Sequence, residues 1–138
     1  MSRAKPARRS GCPISYTLDL LGDKWSLLVI RDLMFFGKRR YGEFLESAEG
    51  IATNILADRL ERLEGAGLIT RNEDSATGGK GEYALTAKGL DLLPVVLELI
   101  LWGAHHDPKT GAPMEFVRRV KRDRDAVIKE IRARHENR

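Results

Sequence analysis

The stretch from Ile51 to Leu85 restricts the fold more than any other part of the sequence. Ile51, Leu56, Leu60 and Leu63 fall on one stripe at helical spacing. Gly65 and Gly67 stop that helix, and Leu68-Ile69-Thr70-Arg71 follows at once as a short strand. Asp74 to Gly81 is a glycine-rich turn, and Glu82-Tyr83-Ala84-Leu85 is the returning strand. A helix that runs straight into a two-stranded hairpin leaves few architectures open.

The flanking segments narrow them further. Pro13 sits in the first turn of a helix that reaches about Leu21 and ends at Gly22. A second helix starts near Lys24 or Trp25 and ends at Gly37. It is apolar on most sides, so it belongs at the centre of a core. A third, short helix covers Tyr41 to Ser47, with Phe44 and Leu45 inward, and Gly50 separates it from the helix that starts near Thr53. After the hairpin, Thr86 caps a long helix from Ala87 to about His106. Beyond the break at Asp107, Pro108, Gly111 and Pro113, a charged helix fills Met114 to Arg134. Four helices, a hairpin and two more helices is a helix-turn-helix with a wing. The expected fold is therefore mainly α with a small β-hairpin wing: a winged helix-turn-helix with additional dimerisation helices. Residues 1–11 read as a disordered basic arm and 12–106 as the domain, including a dimerisation helix at 87–106. Residues 114–136 read as a helical extension.

At 138 residues the chain is one domain by length. Its longest apolar run, Leu92 to Trp102, contains Pro94 and Glu98 and is too short to span a bilayer. The first residues lack the apolar stretch of a secretory signal. Cys12 is the single cysteine, which excludes an intramolecular disulfide and a cysteine-built zinc site. A reducing cytoplasm is the expected compartment. The net charge of +4 is unevenly spread. Residues 1–12 carry Arg3, Lys5, Arg8 and Arg9 and no acid, and residues 114–138 carry nine bases against five acids, so 13–113 is net acidic. Basicity alone thus says little about nucleic acid, and position must carry the argument.

With Leu56 as the buried direction, Asn54, Asp58, Glu61 and Arg62 point outward, while Thr53, Ala57 and Arg59 lie on the flanks. Thr53 and Asn54 are at the N-terminal end, the end that enters a major groove in helix-turn-helix proteins. Asn pairs bidentately with adenine, and Thr reaches a base edge or a thymine methyl. A capping Thr53 and a solvated Asn54 are the plainer alternative. Asp58 and Glu61 repel phosphates, so contact fades past the first two turns. Lys38-Arg39-Arg40, between the second and third helices, reads as a phosphate clamp or a solvated charge run. Lys80, at the hairpin tip, reaches a phosphate or minor groove, or is only part of a mobile turn.

These motifs, taken in order, resemble the HxlR family of winged-helix regulators, relatives of the MarR group. Cys12-Pro13 precedes the first helix and Leu21-Gly22-Asp23-Lys24-Trp25 the second. Gly37 to Phe44, Gly50 to Leu56 and Arg59 to Glu64 follow, then Gly67-Leu68-Ile69, Tyr83 to Gly89, and Trp102 late in the dimer helix. The resemblance covers about residues 12–106. It implies a dimer on operator DNA, with Thr53, Asn54 and Arg59 on the recognition helix, Arg40 on the backbone, and a wing contact. At the wing this chain has Gly79-Lys80-Gly81-Glu82 where members often carry prolines and an arginine.

The run Leu90 to Trp102 independently points to a homodimer, because its apolar side chains surround the helix. Leaving several of them wet costs several kcal/mol at roughly 25 cal/mol per Å². Leu93, Leu97, Ile100, Leu101 and Trp102 are the expected interface. Cover from the C-terminal helix, through Phe116, Val117, Val120, Val127, Ile128 and Ile131, is the alternative. Cys12, at a helix N-terminus, is a redox-sensor candidate or a small inert hydrophobe, and in some HxlR-type members a cysteine at this position senses oxidants or electrophiles. His105 and His106 point about 100° apart and share an ion poorly, so no metal and no cofactor are expected. No catalytic triad, Cys-His pair, paired carboxylates or phosphate-cradling glycine loop is evident, so the chain does not read as an enzyme. The expected function is a sequence-specific DNA-binding regulator, a repressor acting as a homodimer at an inverted repeat, with a small-molecule or oxidant effector. A winged-helix protein-interaction module and a sensor switched through Cys12 are the alternatives.

Overall fold

The computed structural model describes residues 8–73 and 81–136. Helices α1 (Pro13–Leu21), α2 (Ser26–Met34), α3 (Tyr41–Leu45) and α4 (Thr53–Gly65) precede strands β1 (Ile69–Asn72) and β2 (Glu82–Leu85). Helices α5 (Ala87–Leu90), α6 (Leu93–His106), α7 (Met114–Arg122) and α8 (Arg124–Glu136) complete the chain. The fold is mostly helical with one antiparallel hairpin, a winged helix-turn-helix.

Helical spacing explains the centre. Leu56, Leu60 and Leu63 of α4 are buried against Val29, Ile30, Leu33 and Met34 of α2, with Phe44 of α3 between the elements. Each such side chain contributes roughly 2 kcal/mol by leaving water. The end of α4 is a Schellman turn. Gly67 takes φ +77°, its N–H donates to the Glu64 carbonyl, and the Leu68 N–H donates to the Leu63 carbonyl. That turn delivers the chain into β1. The hairpin register pairs Ile69 with Leu85, Thr70 with Ala84, Arg71 with Tyr83 and Asn72 with Glu82. A one-residue bridge between Arg40 and Glu82 adds the segment before α3 as a rudimentary third strand.

Three elements differ from the sequence reading. The second helix ends at Met34, and Phe36 is 61% exposed instead of core. Its ring lies beside the cations of Arg31 and Lys38, which share its face with water. The expected single helix from Ala87 to His106 is two, interrupted at Asp91–Leu92. Pro94 cannot donate to a carbonyl one turn back and its ring crowds that turn, so a helix restarts with the proline in its first positions. The charged C-terminal helix is likewise two, broken at Asp123. The Asp123 backbone is non-helical, and its carboxylate accepts from the Ala126 N–H at the start of α8.

The break at Pro94 decides which face of α6 turns inward. Leu93, Val96 and Leu97 join the core, together with Val120 of α7 and Val127 and Ile131 of α8. Leu93 and Leu97, expected at a dimer interface, are completely buried within one chain, because α7 and α8 cover that side. Val95, Leu99 and Trp102 remain exposed on another side, with Ile100 and Leu101 half-buried between the two.

Candidate nucleic-acid interface

The first turn of α4 is open. Ala52 is the N-cap and supplies no side-chain oxygen, and no acid lies in the turn. The earliest backbone bond runs from the Leu56 N–H to the Ala52 carbonyl (2.9 Å), so the preceding amides face outward without a helical partner. Thr53 is the first helical residue, not the cap. Thr53, Asn54 and Ala57 are exposed. An uncapped, acid-free N-terminus of a thirteen-residue helix attracts anions through its dipole.

Neighbouring side chains set the position of that turn. The Tyr41 hydroxyl, from the start of α3, donates to the Thr53 carbonyl (2.7 Å). One helical turn further, Arg59 turns away from solvent. Its Nε donates to Asp23 Oδ2 (2.7 Å), it also pairs with Asp58, and its side chain is 15% exposed. Asp23 in turn accepts from the Trp25 and Ser26 backbone N–H groups (3.0 Å each) and from the Ser26 hydroxyl (2.6 Å), capping α2. Burial pushes the Asp23 carboxyl up, but its bonds from Ser26, Arg59 and the α2 amides outweigh that and hold it at about 2. Arg59, expected at the DNA, is therefore engaged in joining α4 to the α1–α2 turn.

Lys38, Arg39 and Arg40 lie at the neck of the wing, each engaged differently. Lys38 Nζ donates to Ser47 Oγ (2.6 Å) and lies 3.7 Å from buried Asp32. The Ser47 hydroxyl donates to the same Asp32 carboxylate, so Lys38 is drawn inward. Arg39 and Arg40 reach Glu82 of β2 at 3.4 and 3.6 Å. The Arg39 carbonyl accepts from the Tyr83 N–H (2.7 Å), and both backbone amides of the pair donate to Glu43 Oε1 (2.9 Å each). Those two amides hold the Glu43 carboxyl below its ordinary value. Arg40 keeps the most open side chain of the three, half of it exposed. Lys80 lies outside the described residues. Sequence reasoning missed Asp23, Tyr41 and Glu82, whose roles depend on partners 36, 12 and 43 residues away.

Behind this face, Arg31 clamps Glu49 through both terminal nitrogens (2.7 and 2.9 Å) and touches Asp32, tying α2 to the turn before α4. Cys12 is exposed at the start of α1, its N–H donating to Ser10 Oγ (3.2 Å). His106 closes α6 with its ring 4.6 Å from that of Trp102. Among the described residues no helix is long and apolar enough to cross a membrane.

A helix presented by a preceding short helix, braced by a hairpin and open at its N-terminus, defines a winged helix-turn-helix DNA-binding regulator. The chain belongs to the HxlR-like helix-turn-helix family, which matches residues 20–110. It is 40% identical over 100 residues to the HTH-type transcriptional regulator sll1512 of Synechocystis sp. (strain ATCC 27184 / PCC 6803 / Kazusa), covering 71% of this chain and 73% of that one. Among solved structures it is similar to PA1607, described as a candidate transcription factor (37% identity, TM-score 0.68, 77% of this chain and 74% of that chain). It is also similar to the redox regulator HypR in its oxidized form (35% identity, TM-score 0.62, 68% and 96%). The protein is thus a transcriptional regulator of this family.

Proposed function

We propose that the protein is a repressor that binds an inverted-repeat operator as a homodimer, reading bases with Thr53 and Asn54. The exposed, uncapped first turn of α4 carries the reading. Asn54 supplies a bidentate donor–acceptor pair for adenine, and the free amides beside it suit a phosphate. Arg40 is the backbone contact, and Arg59 acts through Asp23 by fixing the angle of α4. Lys38 and Arg39 line the neck of the wing and contribute field more than direct contact. The dimer is supported by two exposed apolar stripes, Ile14 and Leu18 on α1 and Val95, Leu99 and Trp102 on α6. Pairing them with a second copy removes both from water. Bound near a promoter, such a dimer excludes polymerase.

The test is selection of bound fragments from genomic DNA with the purified full chain. The expected outcome is a shared inverted repeat with half-sites a whole number of helical turns apart. Recovery of fragments without a common motif would remove the sequence-specific reading, and the absence of a steep salt dependence as well would favour a protein-interaction module.

A second reading concerns Cys12, favoured by its exposed thiol and by the similarity to HypR. In it a peroxide oxidises one Cys12 thiolate to the sulfenic acid, the peroxide accepting the electron pair and leaving as water. The partner's thiol then displaces a second water to form an intersubunit disulfide. Equal DNA affinity of the Cys12→Ser variant and the wild type, with and without hydrogen peroxide, would remove Cys12 from regulation.

A further inference from the structure

We propose that the outer face of α7, built from Arg118, Lys121 and Arg122, is a second DNA-backbone contact that grips duplex flanking the site read by α4. The inference rests on the DNA-binding reading above and adds a surface outside the matched residues 20–110.

The argument begins with where the unneutralised cations are. The stretch 13–113, which contains the reading helix, is net acidic, whereas 114–138 has nine bases against five acids. At the reading head most cations already have carboxylate partners. Lys38 lies beside Asp32, Arg39 and Arg40 beside Glu82, Arg59 beside Asp23, and Arg62 beside Asp58. A phosphate there must compete with an internal acid for each of them. Within the extension, Arg119 pairs with Glu130, Arg124 with Glu98, Arg132 with Asp91 and Arg134 with Glu130. Among the described residues, Arg118, Lys121 and Arg122 have no carboxylate partner, and all three are exposed.

Their placement forms a surface. Residues 118, 121 and 122 are spaced i, i+3 and i+4, so they fall within an arc of about 100° on one side of α7. Val117 and Val120 are buried on the other side. Like charges at this spacing repel one another, and an external polyanion relieves that repulsion. The dipole at the helix C-terminus favours Lys121 and Arg122 but not Arg118, a turn earlier. The start of α7 is fixed by Phe116, whose ring meets Phe35 edge-on at 6.1 Å. Phe35 is the C-cap of α2, three residues before Lys38, so this contact anchors the inner side of α7 to the segment that leads to the neck of the wing and leaves the basic stripe on the opposite side of α7. A regular row of phosphates, each taking one cation without sequence demand, fits three long, unpaired, adjacent side chains.

The experiment measures binding of the full chain to a fluorescent duplex of arbitrary sequence, roughly 60 base pairs long, across about 50 to 250 mM KCl. For R118Q/K121Q/R122Q the slope of log K against log [KCl] should be shallower than wild type by about 2 to 3. R118K/R122K, which keeps the charge, should keep the wild-type slope. K109Q/K129Q removes two exposed cations elsewhere and should change the slope by less than about one. An unchanged slope for the triple variant overturns the proposal, as does equal flattening per charge in K109Q/K129Q, which would mean diffuse net charge. Loss of binding to phosphatidylserine vesicles by the triple variant, with its DNA slope intact, would overturn it in favour of an anionic membrane surface. If the triple variant behaves as wild type while Asn54→Ala loses sequence preference, only this second contact falls. If the wild type shows no salt-dependent binding to any duplex, the DNA-binding reading falls with it.

Discussion

Asp23 receives hydrogen bonds from Trp25, Ser26 and Arg59, so one carboxylate both caps α2 and holds α4. Its folded pKa of about 2 lies below the ordinary aspartate value of 3.8, so the ionised form favours the folded state. That contribution, about 2 kcal/mol, is complete above about pH 4 and is lost as pH falls toward 2. Urea unfolding of wild type and Asp23→Asn should therefore differ by about 2 kcal/mol at pH 7, with the gap closing between pH 4 and pH 2. A constant gap across that range would show that Asp23 does not titrate with folding. The partner arginine separates two kinds of residue on one helix. Arg59→Met should weaken binding to every duplex while leaving the salt slope unchanged, because the guanidinium meets Asp23 rather than a phosphate. Arg40→Ala should flatten that slope by about one, and Asn54→Ala should cost roughly 1–3 kcal/mol at one base position. Anisotropy titrations across salt distinguish the three. A flattened slope for Arg59→Met would return that residue to the DNA.

Elements obey local rules more faithfully than their lengths suggest, and this governs what could be read from sequence. The helix-to-hairpin passage was legible because each signal is local: the Leu56-Leu60-Leu63 stripe, the glycine at 67, and a strand within a few residues. The exposure of Asn54 followed from the same helical phase. The orientation of Arg59 did not, since a flank position permits either water or Asp23, and the choice depends on a turn 36 residues away. Pro94 and Asp123 gave local signals of helix breaks that the continuous apolar and charged runs around them obscured. Gly89 shows a tertiary demand that sequence conceals. It is buried in α5, and a Cβ there would lie 2.2 Å from the Leu68 carbonyl oxygen and 3.1 Å from Leu85 Cδ2. Glycine to alanine inside an exposed helix stabilises by about 1 kcal/mol. Here Gly89→Ala should destabilise by at least about 2 kcal/mol, since α5 must back away from the base of the wing. A thermal melt checks the sign, and a raised midpoint would show that the backbones are not held this close.

The molecule as a whole divides its apolar surface between two purposes. Leu93, Val96 and Leu97 close the core under α7 and α8, while Val95, Leu99 and Trp102 form a stripe at i, i+4 and i+7 that the same chain leaves exposed, Trp102 by 68%. Because the two sets lie on different sides of α6, association and folding can be tested separately. L99E/W102E places two charges on the exposed stripe without touching Leu93 or Leu97. It should keep the circular dichroism of a folded helical protein yet sediment as a monomer, whereas the wild type at the same concentration should sediment as a dimer. The wild-type melting temperature should rise with protein concentration, as mass action requires when only the folded chain associates, whereas that of the variant should not. Affinity for an operator with two half-sites should fall by about 10²- to 10⁴-fold, since each recognition helix loses the effective concentration supplied by its twin. Affinity for a single half-site should change little, because the Thr53–Asn54 turn and its Asp23–Arg59 brace are intact. A variant that remains dimeric, or that loses the half-site as completely as the full site, would show that the stripe on α6 is not what joins the two reading heads.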